Sequence, residues 1–104
     1  MRIFHVTTPD VWQAAQEAGG YTTSTRGVTL AEKGFVHCAE AHQVEEVRTR
    51  WFDDLDELLL LEVETELLTS PWRRERLPGA DQPHPHVYGP VDLAAVVGVR
   101  PLTR

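Results

Sequence analysis

Polar and apolar residues alternate from Arg2 to Thr7, with Ile3, His5 and Thr7 on one side and Phe4 and Val6 on the other. A period of two predicts a strand. Thr8-Pro9-Asp10 then opens a helix with a cap-type residue, a proline at the first helical position and an acid in the first turn. Val11, Trp12, Ala15 and Ala18 make its apolar stripe, and Gly19-Gly20 ends it. Tyr21 to Arg26 reads as a loop with a short strand start. Thr29 to Lys33 reads as one helical turn stopped by Gly34, and Phe35 to Cys38 as a short strand. Ala41 to Phe52 has helical spacing, with Ala41, Val44, Val47 and Trp51 predicted inside and Glu45, Glu46, Arg48 and Arg50 outside. Leu58 to Val63 is a continuous apolar run, which predicts a strand buried on both faces. After it come a helical turn within Glu64 to Thr69, an edge strand at Trp72 to Arg76 and a proline-rich loop from Leu77 to Pro85. A short strand at His86 to Tyr88, a turn at Leu93 to Ala95 and a closing strand at Val96 to Leu102 complete the chain. Strands and helices are mixed without regular alternation, so the expected class is α+β in one compact domain, with two main helices.

Composition changes the picture in three ways. Leu, Ile, Val and Phe make up 27 of the 104 residues, enough for one core. No apolar run approaches the ~20 residues of a membrane span. Residues 40 to 66 hold ten Asp or Glu against Arg48 and Arg50, and the net charge is -6. No dense basic cluster appears beyond Arg73, Arg74 and Arg76, which argues against non-specific nucleic-acid binding. A small anionic ligand outside the acidic segment stays compatible with this charge. The single cysteine, Cys38, excludes an intramolecular disulfide framework, and Met1 to Thr8 carries no apolar leader segment; both suit a cytoplasmic setting.

Three segments bring reactive side chains to a strand end, a glycine or a proline. They are His5-Val6-Thr7-Thr8, Gly34-Phe35-Val36-His37-Cys38 and His84-Pro85-His86-Val87-Tyr88-Gly89-Pro90. None matches a zinc, phosphate-loop or dinucleotide fingerprint. On residue type alone His5 reads as a core histidine, Cys38 as a small buried hydrophobe, Tyr88 as a turn anchor, and Trp12, Trp51 and Trp72 as packing. If Phe35 and His37 face a cleft, Val36 and Cys38 face the core. His37, His84 and His86 form the set a metal reading would need, but no ligand spacing supports it, and no metal is expected.

Taken together, His-Val-Thr-Thr, Gly-Phe-Val-His-Cys-Ala, Leu-Leu-Leu-Leu-Glu-Val and Pro-His-Val-Tyr-Gly-Pro-Val-Asp-Leu-Ala-Ala-Val resemble the small bacterial family called domain of unknown function 952. The resemblance runs in order from Ile3 to about Leu102. It implies a fold similar to the ADP-ribosyltransferases and the related RNA 2'-phosphotransferases, with a mixed sheet. In such enzymes a first-strand His touches a ribose of NAD, a Gly-led strand carries a residue that stacks on nicotinamide, and a late strand supplies a third position. By motif His5, with Thr7 beside it, matches the first and His37 the second, while His86 or Tyr88 matches the third. The implied activity is a transferase acting on NAD, ADP-ribose or a ribose phosphate, with His5, His37 and His86 as catalytic candidates and NAD as cofactor. The alternative is a non-catalytic module for a nucleotide-like ligand. The Glu common in mono-ADP-ribosylating enzymes has no counterpart at the end of this chain. Ala39-Glu40 stands where the family usually has Ser or Thr after the Cys. Ala is a poor helix cap, which predicts a loss of ~1 kcal/mol.

Overall fold

The computed structural model describes residues 1–102. The predicted first strand forms as β1 (Arg2–Thr7), followed by α1 (Pro9–Ala18), β2 (Thr23–Thr25), β3 (Val28–Thr29), the one-turn α2 (Leu30–Lys33) and β4 (Val36–His37). A 3-10 turn (Ala41–Gln43) runs into α3 (Val44–Phe52). Then come β5 (Leu58–Glu64), β6 (Trp72–Glu75), β7 (His84–Val87) and β8 (Val96–Leu102). The class is α+β. In place of one mixed sheet there are three antiparallel ones among the described residues, in the orders β1-β5-β8, β2-β3 and β4-β7-β6.

β5 sits in the middle of the first sheet, and its run of leucines serves two cores because successive side chains point to opposite faces. Leu58 and Leu60 pack with Val6 under Val44, Val47 and Phe52 of α3. Leu61 and Val63 pack with Ile3, Tyr21, Val36, Cys38, Val87 and Ala15 of α1. The second core therefore lies between the first sheet and the β4-β7-β6 sheet. The two sheets are stitched where Phe4 and Ala39 exchange backbone hydrogen bonds, each 2.7 Å. Among the described residues no helix is long and apolar enough to cross a membrane.

Four expectations are corrected. The buried stripe of α3 turns towards Arg48 and Phe52, leaving Trp51 44% exposed. Arg48 is buried, with its Nε–H donating to Glu45 Oε1 at 3.1 Å. Ala41 is exposed because residues 41–43 form a 3-10 turn out of phase with the helix that follows. Ala18, at the last turn of α1, is exposed as well, and only Ala15 of that helix is buried. Ala39-Glu40 is not a weak cap. Ala39 is buried in the inter-sheet bridge, and Gln43 Oε1 accepts the Glu40 N–H at 3.0 Å, tying the start of the turn without Ser or Thr. At α2, Thr29 and Glu32 form a reciprocal capping box, and Gly34 ends the turn with φ +93°, a conformation open to glycine. This fixes Lys33 immediately before the strand that carries His37.

Candidate functional site

β7 is the central strand of the second sheet, with His86 opposite His37 on one side and opposite Arg73 on the other. The pleat separates two kinds of residue. Val36, Cys38, Pro85 and Val87 are buried on the core side. His37, His84, His86, Arg73 and Glu75 share the opposite side, as alternation requires. That side forms one wall of a cavity of about 350 Å³, closed by Val47, Arg50 and Trp51 of α3, by Lys33, and by Leu77, Pro78 and Ala80 of the proline-rich loop.

The imidazoles are held at close quarters. The His37 ring lies 5.0 Å from that of His84 and 5.4 Å from that of His86, centroid to centroid. His86 is 0% exposed and stacks on Phe35 at 3.9 Å. Its Nδ1–H donates to Glu75 Oε1 at 3.0 Å, and its buried Nε2 has no hydrogen-bond partner. Glu75 also accepts the Tyr88 hydroxyl and the Arg73 Nε–H, the latter at 3.1 Å. Arg73 in turn lies over the Tyr88 ring. Hydrogen bonds from Tyr88 and, after it, from His86 hold the Glu75 carboxyl below its ordinary range. Burial lowers the His86 pKa against the pull of Glu75. His84 donates Nδ1–H to the Gln82 carbonyl at 3.2 Å. Among the described residues no hydrogen bond reaches the His37 ring. Burial, and after it the neighbouring His84 and His86, push its pKa down to about 3.

His5 is placed elsewhere. It is 4% exposed, behind β4. Its Nδ1–H donates to the His37 carbonyl at 2.7 Å, and Nε2 accepts the Tyr21 hydroxyl at 2.7 Å. The Tyr21 oxygen, 2.8 Å from Thr7 Oγ1, is left to accept from Thr7. Burial drives the His5 pKa down to about 4 and the Tyr21 hydroxyl up. Both ring nitrogens of His5 are therefore used internally, and His5, Thr7 and Tyr21 border a separate crevice of about 50 Å³. The structure brings His37, His84 and His86 together, with Tyr88 joined to them through Glu75; His5 and Thr7 back the strand that carries His37.

Sequence reasoning missed Glu75, Lys33, Arg50 and Trp51. The alternation of Trp72 to Arg76 puts Glu75 and Arg73 on one face, a usable signal for a carboxylate on the histidine side. Nothing local to Trp51 or Arg50 marks them as cavity residues. Among the described residues no group of three or more His, Cys, Asp or Glu has the arrangement of a metal site.

Cys38 is 1% exposed, and burial pushes its thiol up to about 12. It is expected to resist bulky thiol reagents in the native protein, which a timed modification assay read by mass spectrometry checks. Cys38→Ser is expected to lower stability by about 1–3 kcal/mol by burying a hydroxyl.

Comparison with known proteins gives one family. A family model described as Protein of unknown function (DUF952) matches residues 6–99. No curated protein matches the chain. A crystal structure of protein CC0527 from Caulobacter crescentus is similar, with TM-score 0.83 and 29% identity over 98% of this chain and 86% of that one. The solution structure of CC0527 has TM-score 0.79 and 27% identity, covering 98% of this chain and 84% of that one.

Proposed function

The chain belongs to this family of unknown function, and we propose that its three-histidine cavity binds a ribose-bearing, nucleotide-like small molecule of the NAD, ADP-ribose or ribose-phosphate class. One observation carries the reading: His37, whose ring makes no hydrogen bond among the described residues, and His86, whose buried Nε2 has no partner, line a single cavity. An unpaired buried polar atom costs ~1–3 kcal/mol, which a ligand hydroxyl donating to it would recover. The exposed Trp51 ring offers a flat surface for a base or nicotinamide, and Lys33 and Arg50 offer charge for phosphates.

In the transferase form of this reading, Glu75 and His86 act as a pair. Glu75 holds Nδ1–H, so Nε2 keeps its lone pair and can take a proton from a ribose hydroxyl or an incoming acceptor. The Glu75 carboxylate then also lies near the positive charge that grows on a ribose as its glycosidic bond breaks. A cytoplasmic setting belongs to the same proposal, supported by the single thiol. The placement of His5 outside the cavity favours the second reading, a binding module without catalysis, because the residue matched to the ribose contact has no free ring nitrogen.

Isothermal titration with NAD, ADP-ribose and AMP tests the proposal. At least one is expected to bind, and Trp51→Ala is expected to weaken it about tenfold with the melting temperature unchanged. Release of nicotinamide from NAD, abolished by Glu75→Gln, would select the transferase. Absence of binding by all three would remove the reading.

A further inference from the structure

We propose that the part of the ligand seated on the imidazole cluster is a phosphate monoester dianion, and that the protein takes up a proton from solvent as this group binds. The inference rests on the nucleotide reading above and narrows it from nucleotides in general to those with a terminal phosphate.

Hydrogen-bond polarity carries the argument. His84 gives its Nδ1–H to the Gln82 carbonyl and His86 gives its Nδ1–H to Glu75. Neutral imidazoles anchored in this way present Nε2 as a lone pair. A phosphate monoester dianion also presents only lone pairs. The two attract once a proton stands between them, which makes the ring a donor at both nitrogens. Above pH 7 the free ligand is almost wholly dianionic, since its second pKa is about 6, so the proton comes from water. A sugar hydroxyl, by contrast, donates to Nε2 with no proton taken up.

The surroundings favour the charged form once an anion is present. Lys33 from α2 and Arg50 from α3 face the cavity as cations, and Glu46 of α3 and Glu75 of β6 face it as carboxylates. Glu75 is committed to His86, Tyr88 and Arg73. His37 from β4 is in ring contact with both His84 and His86, with His5 behind it. Burial lowers the His37 pKa first, the neighbouring Lys33 cation adds to the lowering, and a bound dianion opposes the Lys33 contribution.

The test is calorimetric titration of the full chain with AMP, adenosine, NAD and inorganic phosphate between pH 6.5 and 8, in two buffers of different ionisation heat. AMP is expected to bind at least tenfold more tightly than adenosine. Its affinity is expected to fall about tenfold from pH 7 to 8, with close to one proton taken up, while adenosine shows neither effect. His84→Gln is expected to reduce the proton uptake, and Lys33→Met to weaken AMP while leaving the uptake intact. AMP binding no tighter than adenosine, or without dependence on pH, overturns the proposal and leaves the nucleotide reading standing. Phosphate binding with proton uptake, while no nucleotide or nucleoside binds, supports the proposal and removes that reading. Silence from all four removes both.

Discussion

His5→Ala is expected to lower stability by about 3 kcal/mol or more and the melting temperature by roughly 15 °C, whatever its effect on ligands. The ring joins three elements: β1 through its own backbone, the Tyr21 segment through Nε2, and β4 through the His37 carbonyl. Truncation leaves the Tyr21 hydroxyl and the His37 carbonyl without this buried partner, at about 1–3 kcal/mol each, and opens a cavity beside Ile3 and Leu61. Tyr21→Phe removes only the hydroxyl and is expected to cost about 1–2 kcal/mol. Because the two side chains share one bond, the double variant is expected to lose less than the sum of the singles. Thermal melts of the three variants check this. A His5→Ala protein that melts normally but loses its ligand would return His5 to the ribose-contact role implied by the family resemblance.

The second large effect is loss of stability in mild acid, driven by histidines. In the unfolded chain His5 and His37 titrate near 6.5; in the fold burial holds them at about 4 and about 3. Both folded values are depressed, so the fold favours the neutral rings. Their contribution to stability is fully present above pH 6.5 and is lost as pH falls towards the folded values. Each contributes a slope of about 1.4 kcal/mol per pH unit, so stability is expected to drop by about 5 kcal/mol between pH 6.5 and 4.5. Urea melts at pH 7, 5.5 and 4.5 measure it. His37→Gln, on the cavity side, is expected to remove about half of the slope. Stability that stays flat or rises on acidification would contradict the neutral, buried state of both rings.

The fold was largely legible because its strongest signals are local. The run Leu58 to Leu61 alternates between two cores, and an uninterrupted apolar run has no other economical use in an antiparallel sheet. The pleat of Phe35 to Cys38 follows from burial preference alone: the thiol turned inward and the imidazole outward, as observed. The site was only partly legible, since it is assembled from residues far apart in the chain. Glu75 meets His86 across a strand pairing. Trp51 reaches the cavity because the buried stripe of α3 is shifted towards Arg48, whose head pairs with Glu45. A period count treats Arg48 as solvent-facing and so misplaces Trp51. His5 shows the opposite problem. Its strand position and neighbours fit a ligand contact and a core histidine equally well, and only the partners of its two nitrogens separate them.

The proposed binding puts ligand on the His37, His84 and His86 face, away from His5. Its most direct measurement is a two-dimensional 1H–15N spectrum of the imidazole rings during titration with ADP-ribose and AMP at pH 7.5. The Nε2 resonances of His84 and His86 and both nitrogens of His37 are expected to move together and saturate together, with His5 and the exposed His42 unmoved. Saturating shifts at His5 with the other three silent, or no shift at any histidine, would contradict it.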